Sequence, residues 1–205
     1  TAFVANAFIY KQKVPLAKKG QPGYGAHVGF NDTIADINGS VTASYVSDIA
    51  ESGGISALYS DSAKLTKQVQ GAAASFNVGY KSYGVYTGYV TAAQSFNKQD
   101  MTYNGKAALP SALHVEGYYD GRVFNKLNNA AIGMTEAFKA LAIGLPKQRI
   151  YIADTITPYK NFNVGAEVDF DSNYSKNTTA TYAGNTVSQD GKTHIGGFVQ
   201  LGYYF

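Results

Sequence analysis

Hydrophobic and polar residues alternate with a period of two along much of the chain, most clearly from Asn161 to Tyr174, NFNVGAEVDFDSNY. Phe162, Val164, Ala166, Val168 and Phe170 fall on one face of this run, and Asn163, Gly165, Glu167, Asp169 and Asp171 on the other. Successive side chains of a strand point to opposite faces, so the run predicts a strand with one face in an apolar medium and the other in a polar one. The last strand repeats the pattern: Ile195, Gly197, Val199, Leu201, Tyr203 and Phe205 oppose His194, Gly196, Phe198, Gln200, Gly202 and Tyr204. Four more segments sort the same way, around Tyr24 to Asn31, Val41 to Asp48, Ser75 to Lys81 and Ala112 to Asp120.

Phe3 to Tyr10, Tyr86 to Phe96, Ala130 to Phe138 and Arg149 to Thr157 alternate less cleanly, because Glu136 and Asp154 land among the apolar positions. Counting them gives about ten strands, whose connections differ in length by side. Asp36 to Gly39, Lys81 to Gly84 and Pro158 to Asn161 read as short turns, with Gly121 to Asn129 a longer connection on the same side. Lys13 to Pro22, Glu51 to Gln70, Asn97 to Ser111, Lys139 to Lys147 and Ser175 to Asp190 read as long loops on the other. Short turns at one end and long loops at the other are what a transmembrane barrel requires. The expected fold is therefore all-β: an antiparallel transmembrane β-barrel of about ten strands, forming a single domain over residues 1–205. An even strand count puts the C-terminus on the short-turn side. Phe205, with Tyr203, Leu201 and Val199 behind it, resembles the terminal recognition strand of outer-membrane proteins, which implies the barrel-assembly machinery and outer-membrane lipid as partners.

Composition agrees with strands. The chain of 205 residues holds 17 Tyr, 11 Phe and 22 Gly with only 15% charged residues, a mix that favours β structure over helix. It has no cysteine, which excludes disulfide scaffolds, thiolate metal sites and cysteine nucleophiles. A net charge of +3 with scattered lysines does not suggest a nucleic-acid partner. No apolar run reaches the roughly 18 residues of a membrane helix, but barrel strands hide their apolar face behind alternation. TAFVANAF lacks the basic-then-apolar pattern of a signal peptide, so Thr1 is not expected to be the translated start.

Glu136 to Arg149, EAFKALAIGLPKQR, followed by NVGAEVDFDSNY from Asn163 to Tyr174 and the terminal FVQLGYYF, resembles the C-terminal region of the LbtU and FslE/FupA group of siderophore porins. The resemblance covers about the last third to half of the chain and implies a bacterial outer-membrane protein in iron or siderophore uptake. Members of that group are considerably longer, so it also implies either a C-terminal piece of a larger barrel or a short relative. It carries no catalytic set; Leu145, Pro146, Lys147 and Arg149 match it at a loop-to-strand junction.

On the predicted polar face the alternation collects His27, His114 and His194 with Glu116, Asp120, Glu167, Asp169 and Asp171. Imidazole with carboxylate suits iron, zinc or manganese, so these are the candidate metal-contacting residues, with iron or a ferric siderophore as transient cargo and no resident cofactor. Against this stands the simpler reading that residues facing water are polar for that reason alone. Lys81 and Arg149 could instead pair with the acids. No enzyme is expected: His114 and Glu116 sit near a rim, but no G-x-S-x-G or other nucleophile signature accompanies them. A structural or adhesive barrel acting through its external loops is the other class left open. Ser52-Gly53-Gly54 reads as a flexible loop, and Tyr83, Tyr86, Tyr159, Tyr203 and Tyr204 as an interfacial aromatic girdle.

Overall fold

In the computed structural model, which describes residues 1–11, 22–59 and 64–203, alternation becomes a ten-stranded antiparallel sheet. Its strands are β1 (Ala2–Tyr10), β2 (Gly23–Ile34), β3 (Ile37–Val46), β4 (Gly71–Tyr80), β5 (Tyr83–Ala92), β8 (Ser111–Val123), β9 (Lys126–Phe138), β10 (Gln148–Tyr159), β11 (Phe162–Ser172) and β14 (Thr193–Tyr203). Each pairs with its neighbour in the chain, in the order β1-β2-β3-β4-β5-β8-β9-β10-β11-β14. Among the described residues β1 and β14 do not pair with each other, so the sheet has two edges. The expectation of an all-β antiparallel fold holds. Tyr204 and Phe205, and the predicted loop from Lys13 as far as Gln21, lie outside the described residues.

Register sorts the side chains onto two faces. Phe30, Val41, Phe76, Thr87, Val115, Met134, Ile150, Phe170 and Ile195 share the apolar face through successive pairings. His27, Ser44, Ala73, Val90, Ala112 and Ala137 follow one another across the opposite face. The apolar face is uncovered: Ile9, Phe30, Ile132, Ile152, Val199 and Leu201 are all exposed. Glu136 and Asp154 do lie on this face, as the alternation implied, and Asp154 is not bare. Asn128 donates to its Oδ1 at 2.6 Å from β9, giving the carboxylate a partner beside apolar neighbours.

The turns on the short side are tighter than predicted. Ala35-Asp36, Lys81-Ser82, Phe124-Asn125 and Lys160-Asn161 each join two strands. The predicted connection from Gly121 to Asn129 is therefore corrected: β8 and β9 run on to Val123 and Lys126, closing on Phe124 and Asn125, whose φ values of 48° and 62° match a primed hairpin turn.

On the long side the connections fold rather than stay loose. A 3₁₀ turn η1 (Ile49–Glu51) and a short helix α1 (Gly53–Ser56) follow β3, so Ser52-Gly53-Gly54 opens a helical turn instead of forming a flexible loop. Asp48 pins η1 by accepting the backbone N–H of Ala50 at 3.0 Å, and burial pushes its carboxyl above the usual range. A second sheet, β13-β12-β6-β7, is built from β6 (Met101–Tyr103) and β7 (Lys106–Ala107) of one loop and β12 (Thr179–Tyr182) and β13 (Asn185–Ser188) of another. With η2 (Leu141–Ile143) these pieces enclose the best-buried side chains described: Phe96, Leu65, Met101 and Val69. The core thus lies in the loops. A clamp ties two of them together, since the Asp100 carboxylate accepts from the Thr66 N–H at 2.8 Å and the Thr66 hydroxyl at 2.7 Å. This cap leans on the polar face, where Ile49 fills the space that a Cβ on Gly71 would occupy.

The cap has one pH-sensitive corner. Asp190 accepts from the Asn173 side chain at 2.9 Å, from the Lys192 N–H at 2.9 Å and from His194 at 2.8 Å, and these donors lower its carboxyl to about 2. A depressed carboxylate stabilises the fold above its ordinary value of 3.8 and loses that contribution as pH falls from there to about 2. Acidification through this window is expected to loosen 173–192 before the sheet, seen as selective line changes of these residues by NMR.

Candidate functional site

The polar face is chemically divided. Across β1 to β4 it carries neutral groups, among them Asn6, His27, Ser40, Thr42, Ser75 and Asn77. From β8 to β14 it carries His114, Glu116, Asp120, Arg149, Glu167, Asp169, Asp171 and His194. All eight residues singled out as metal candidates therefore share a face, as predicted, but they do not share a site. His27 lies apart and meets the Ser44 hydroxyl at 2.8 Å. His194 faces Asp190 in the cap.

Arg149 answers part of the negative charge. Its guanidinium donates two hydrogen bonds to Asp171, both at 2.6 Å, and lies 3.8 Å from Asp169. The bidentate fork fits the carboxylate, and the guanidinium charge also acts on Asp169 and Glu167 of the same wall.

His114 and Glu116 are brought together, and the residue that joins them was not among the candidates. His114 Nε2 lies 3.9 Å from Glu116 Oε2 on β8. Tyr151, on β10, donates its hydroxyl to Glu116 Oε2 and sits 3.4 Å from His114 Nε2. Between these strands runs β9, and Tyr151 can cross it because its register partner there is Gly133. A Cβ on Gly133 would overlap the Tyr151 ring, so the glycine is the notch through which the phenol reaches β8. Thr135, two residues along β9, meets His114 Nδ1 at 2.9 Å and leaves Nε2 aimed at the cluster. The ring of Tyr151 lies near-parallel to that of His114, at 5.9 Å and 8°, while Tyr86 packs on His114 at 5.8 Å. This corrects the placement of Tyr86: it belongs to the polar face and not to an aromatic girdle.

Gly133→Ala tests the notch. The added methyl is expected to displace the Tyr151 ring and cost about 1–3 kcal/mol, as overpacking does, read as a lower urea midpoint of the refolded protein.

The remaining girdle residues do lie at the turn end. Tyr83 is exposed beside Tyr119 at 5.2 Å, Tyr159 is exposed beneath the Lys126 ammonium, and Tyr203 is exposed opposite Phe162. Tyr204 is outside the described residues. At the loop end the polar face turns apolar: Ile49, Ile55 and Ile143 of the cap and Val46, Ala73 and Val90 of the sheet line a cavity of about 320 Å³.

Among the described residues no three His, Cys, Asp or Glu side chains converge as a metal-holding group. No helix is long and apolar enough to cross a membrane, which leaves crossing by strands untouched. No protein-family model matches the chain, and no solved structure matches it. It is similar to a UPF0422 protein of Coxiella burnetii, 28% identical over 160 residues, covering 77% of this chain and 34% of the relative. UPF0422 proteins of two Legionella pneumophila strains are 27% and 28% identical over 185 and 180 residues, covering 83% and 80% of this chain and 34% and 33% of theirs. The chain thus spans about a third of the length of the curated relatives it matches.

Proposed function

We propose that this chain forms the wall of an outer-membrane β-barrel that serves as a porin or transporter for iron or a siderophore. One observation carries the membrane reading: most of the exposed large apolar residues of the sheet lie on one face, with Val4, Phe8, Val90, Leu127 and Phe198 on the other, while the deepest burial is in the loops. A water-soluble protein rarely leaves so large an apolar surface open, and lipid is the medium that removes it from water. Short turns at one end, long folded connections at the other and tyrosines at the turn end agree with that placement. The organisms of the relatives are Gram-negative and so possess an outer membrane.

The cargo rests on the resemblance to siderophore porins and on the acidic wall from Glu116 to Asp171, which concentrates cations. Uptake of labelled iron by cells lacking the protein, and by the same cells with it restored, tests this. Restored uptake is expected. Equal uptake in both removes the transport reading and favours a barrel acting through its external loops, whose folded cap presents a fixed surface.

A further inference from the structure

We propose that His114, Glu116 and Tyr151 form a binding site for a single ferric ion on the polar face of the sheet. The proposal deepens the iron reading above, on which its biological role rests, although the binding itself follows from the geometry.

Three donors of different kinds meet here. The imidazole Nε2 and carboxylate Oε2 are 3.9 Å apart, the phenol oxygen is 3.4 Å from Nε2, and the phenol already donates to that same carboxylate oxygen. Ligand atoms each about 2.1 Å from one ion stand about 3 Å from each other at right angles, so small rotations of these side chains suffice. Two charged oxygens and one imidazole nitrogen make a hard donor set, and phenolate oxygen is a ligand for iron that divalent magnesium or calcium does not need. On coordination the phenol proton leaves to solvent and the oxygen binds the ion, with no change of oxidation state.

The surroundings are built as those of a metal ligand are. Thr135 holds Nδ1 of His114 and fixes the ring with Nε2 forward, the arrangement that outer-shell partners give to ligating histidines. Gly133 opens the path for Tyr151, and Tyr86 backs the imidazole. Asp169 pairs in register with Tyr151 and Glu167 lies on the next polar-face position of β11, so added positive charge meets carboxylates; Arg149, the nearby cation, is engaged by Asp171. Two of the three donors, His114 and Glu116, are legible in the sequence; the phenol turns a pair into a chelate.

The test uses the refolded full chain in detergent, titrated with ferric nitrilotriacetate. Binding of one ion per chain with a visible phenolate-to-ferric charge-transfer band is expected, and Tyr151→Phe is expected to abolish the band. Thr135→Val is expected to weaken binding about 10–100-fold with the band retained. No visible band in the parent protein, or a band that persists in Tyr151→Phe, overturns the site. Should Tyr151→Phe fail to show the heat-modifiable gel mobility of a folded barrel, Glu116→Gln replaces it: at least tenfold weaker binding supports the site, and unchanged binding overturns it. Iron flux into liposomes is scored separately. A band without flux keeps the site and removes transport, whereas flux without a band keeps transport and removes the site.

Discussion

Ile152→Arg is expected to block folding of this chain into lipid vesicles. Ile152 is 55% exposed at the middle of β10, with Ile132 and Val168 as its register partners on the apolar face. On the proposed membrane reading this face meets lipid, where a charged side chain near the bilayer midplane costs about 2–4 kcal/mol, a large share of the stability of an ordinary domain. The informative control is one position away. Ala153 faces the other side and pairs in register with Glu167, so Ala153→Arg places the same charge beside a carboxylate. Because strand side chains alternate, one residue decides between the apolar face and the polar face. Heat-modifiable gel mobility after vesicle refolding reads both variants: Ile152→Arg is expected to stay unfolded and Ala153→Arg to fold. Equal folding of the two would remove the lipid assignment of the apolar face.

Phe96→Ala is expected to take the cap apart while sparing the sheet. Phe96 is 1% exposed and packs among Leu65, Met101 and Leu141, which come from three different connections. Truncating a buried phenylalanine costs about 3–5 kcal/mol through lost burial and the cavity left behind. The two-residue strand β7 and the four-residue strand β13 offer only short ladders to hold the cap once that packing is lost. Among the described residues Ala92, at the end of β5, is the one member of this cluster that belongs to the ten long strands. Limited proteolysis of the refolded protein should therefore cut within 93–110 and 173–192 in the variant, with the gel mobility of the folded sheet preserved. Loss of the sheet together with the cap would mean that the two are one cooperative unit.

Much of this architecture is legible in the residue order because period-two alternation is a local property. NFNVGAEVDFDSNY assigns Glu167, Asp169 and Asp171 to the polar face without any knowledge of their neighbours, and the observed register agrees. The awkward Glu136 and Asp154 were placed correctly too; what alternation could not show is the Asn128 side chain that accompanies Asp154. Turn positions are less legible. Gly121 to Asn129 looked like a connection because of its glycine and asparagines, yet cross-strand pairing continues through it.

The cap and the cluster around Tyr151 were hidden for a different reason. Leu65, Val69, Phe96 and Met101 stand in segments with no period, so nothing local marks them as buried. Tyr151 meets Glu116 across 35 positions and one intervening strand, and the contact exists only because β9 carries glycine at the crossing. A signal was present in principle: aligning β8, β9 and β10 through their turns puts Gly133 between Glu116 and Tyr151. That signal depends on the register of both hairpins, and the asparagines and glycine between Gly121 and Asn129 mask where β8 turns into β9.

The pairing order also sets a timetable for folding. Among the described residues every strand of the large sheet pairs with the next strand of that sheet along the chain, so each pairing closes across a connection of two to about two dozen residues. The small sheet is different: β6 pairs with β12, and the Thr179 amide reaches Asn104 across 75 positions. Bringing such distant segments together carries a larger loop-closure entropy, unless intervening hairpins have already shortened the path. Zippering of β8 through β11 does shorten it, because it carries both loops to the same end of the sheet. Cap assembly is thus expected to be the late, topology-limited event, so that its appearance in time would report that the four strands between its halves have already found their register.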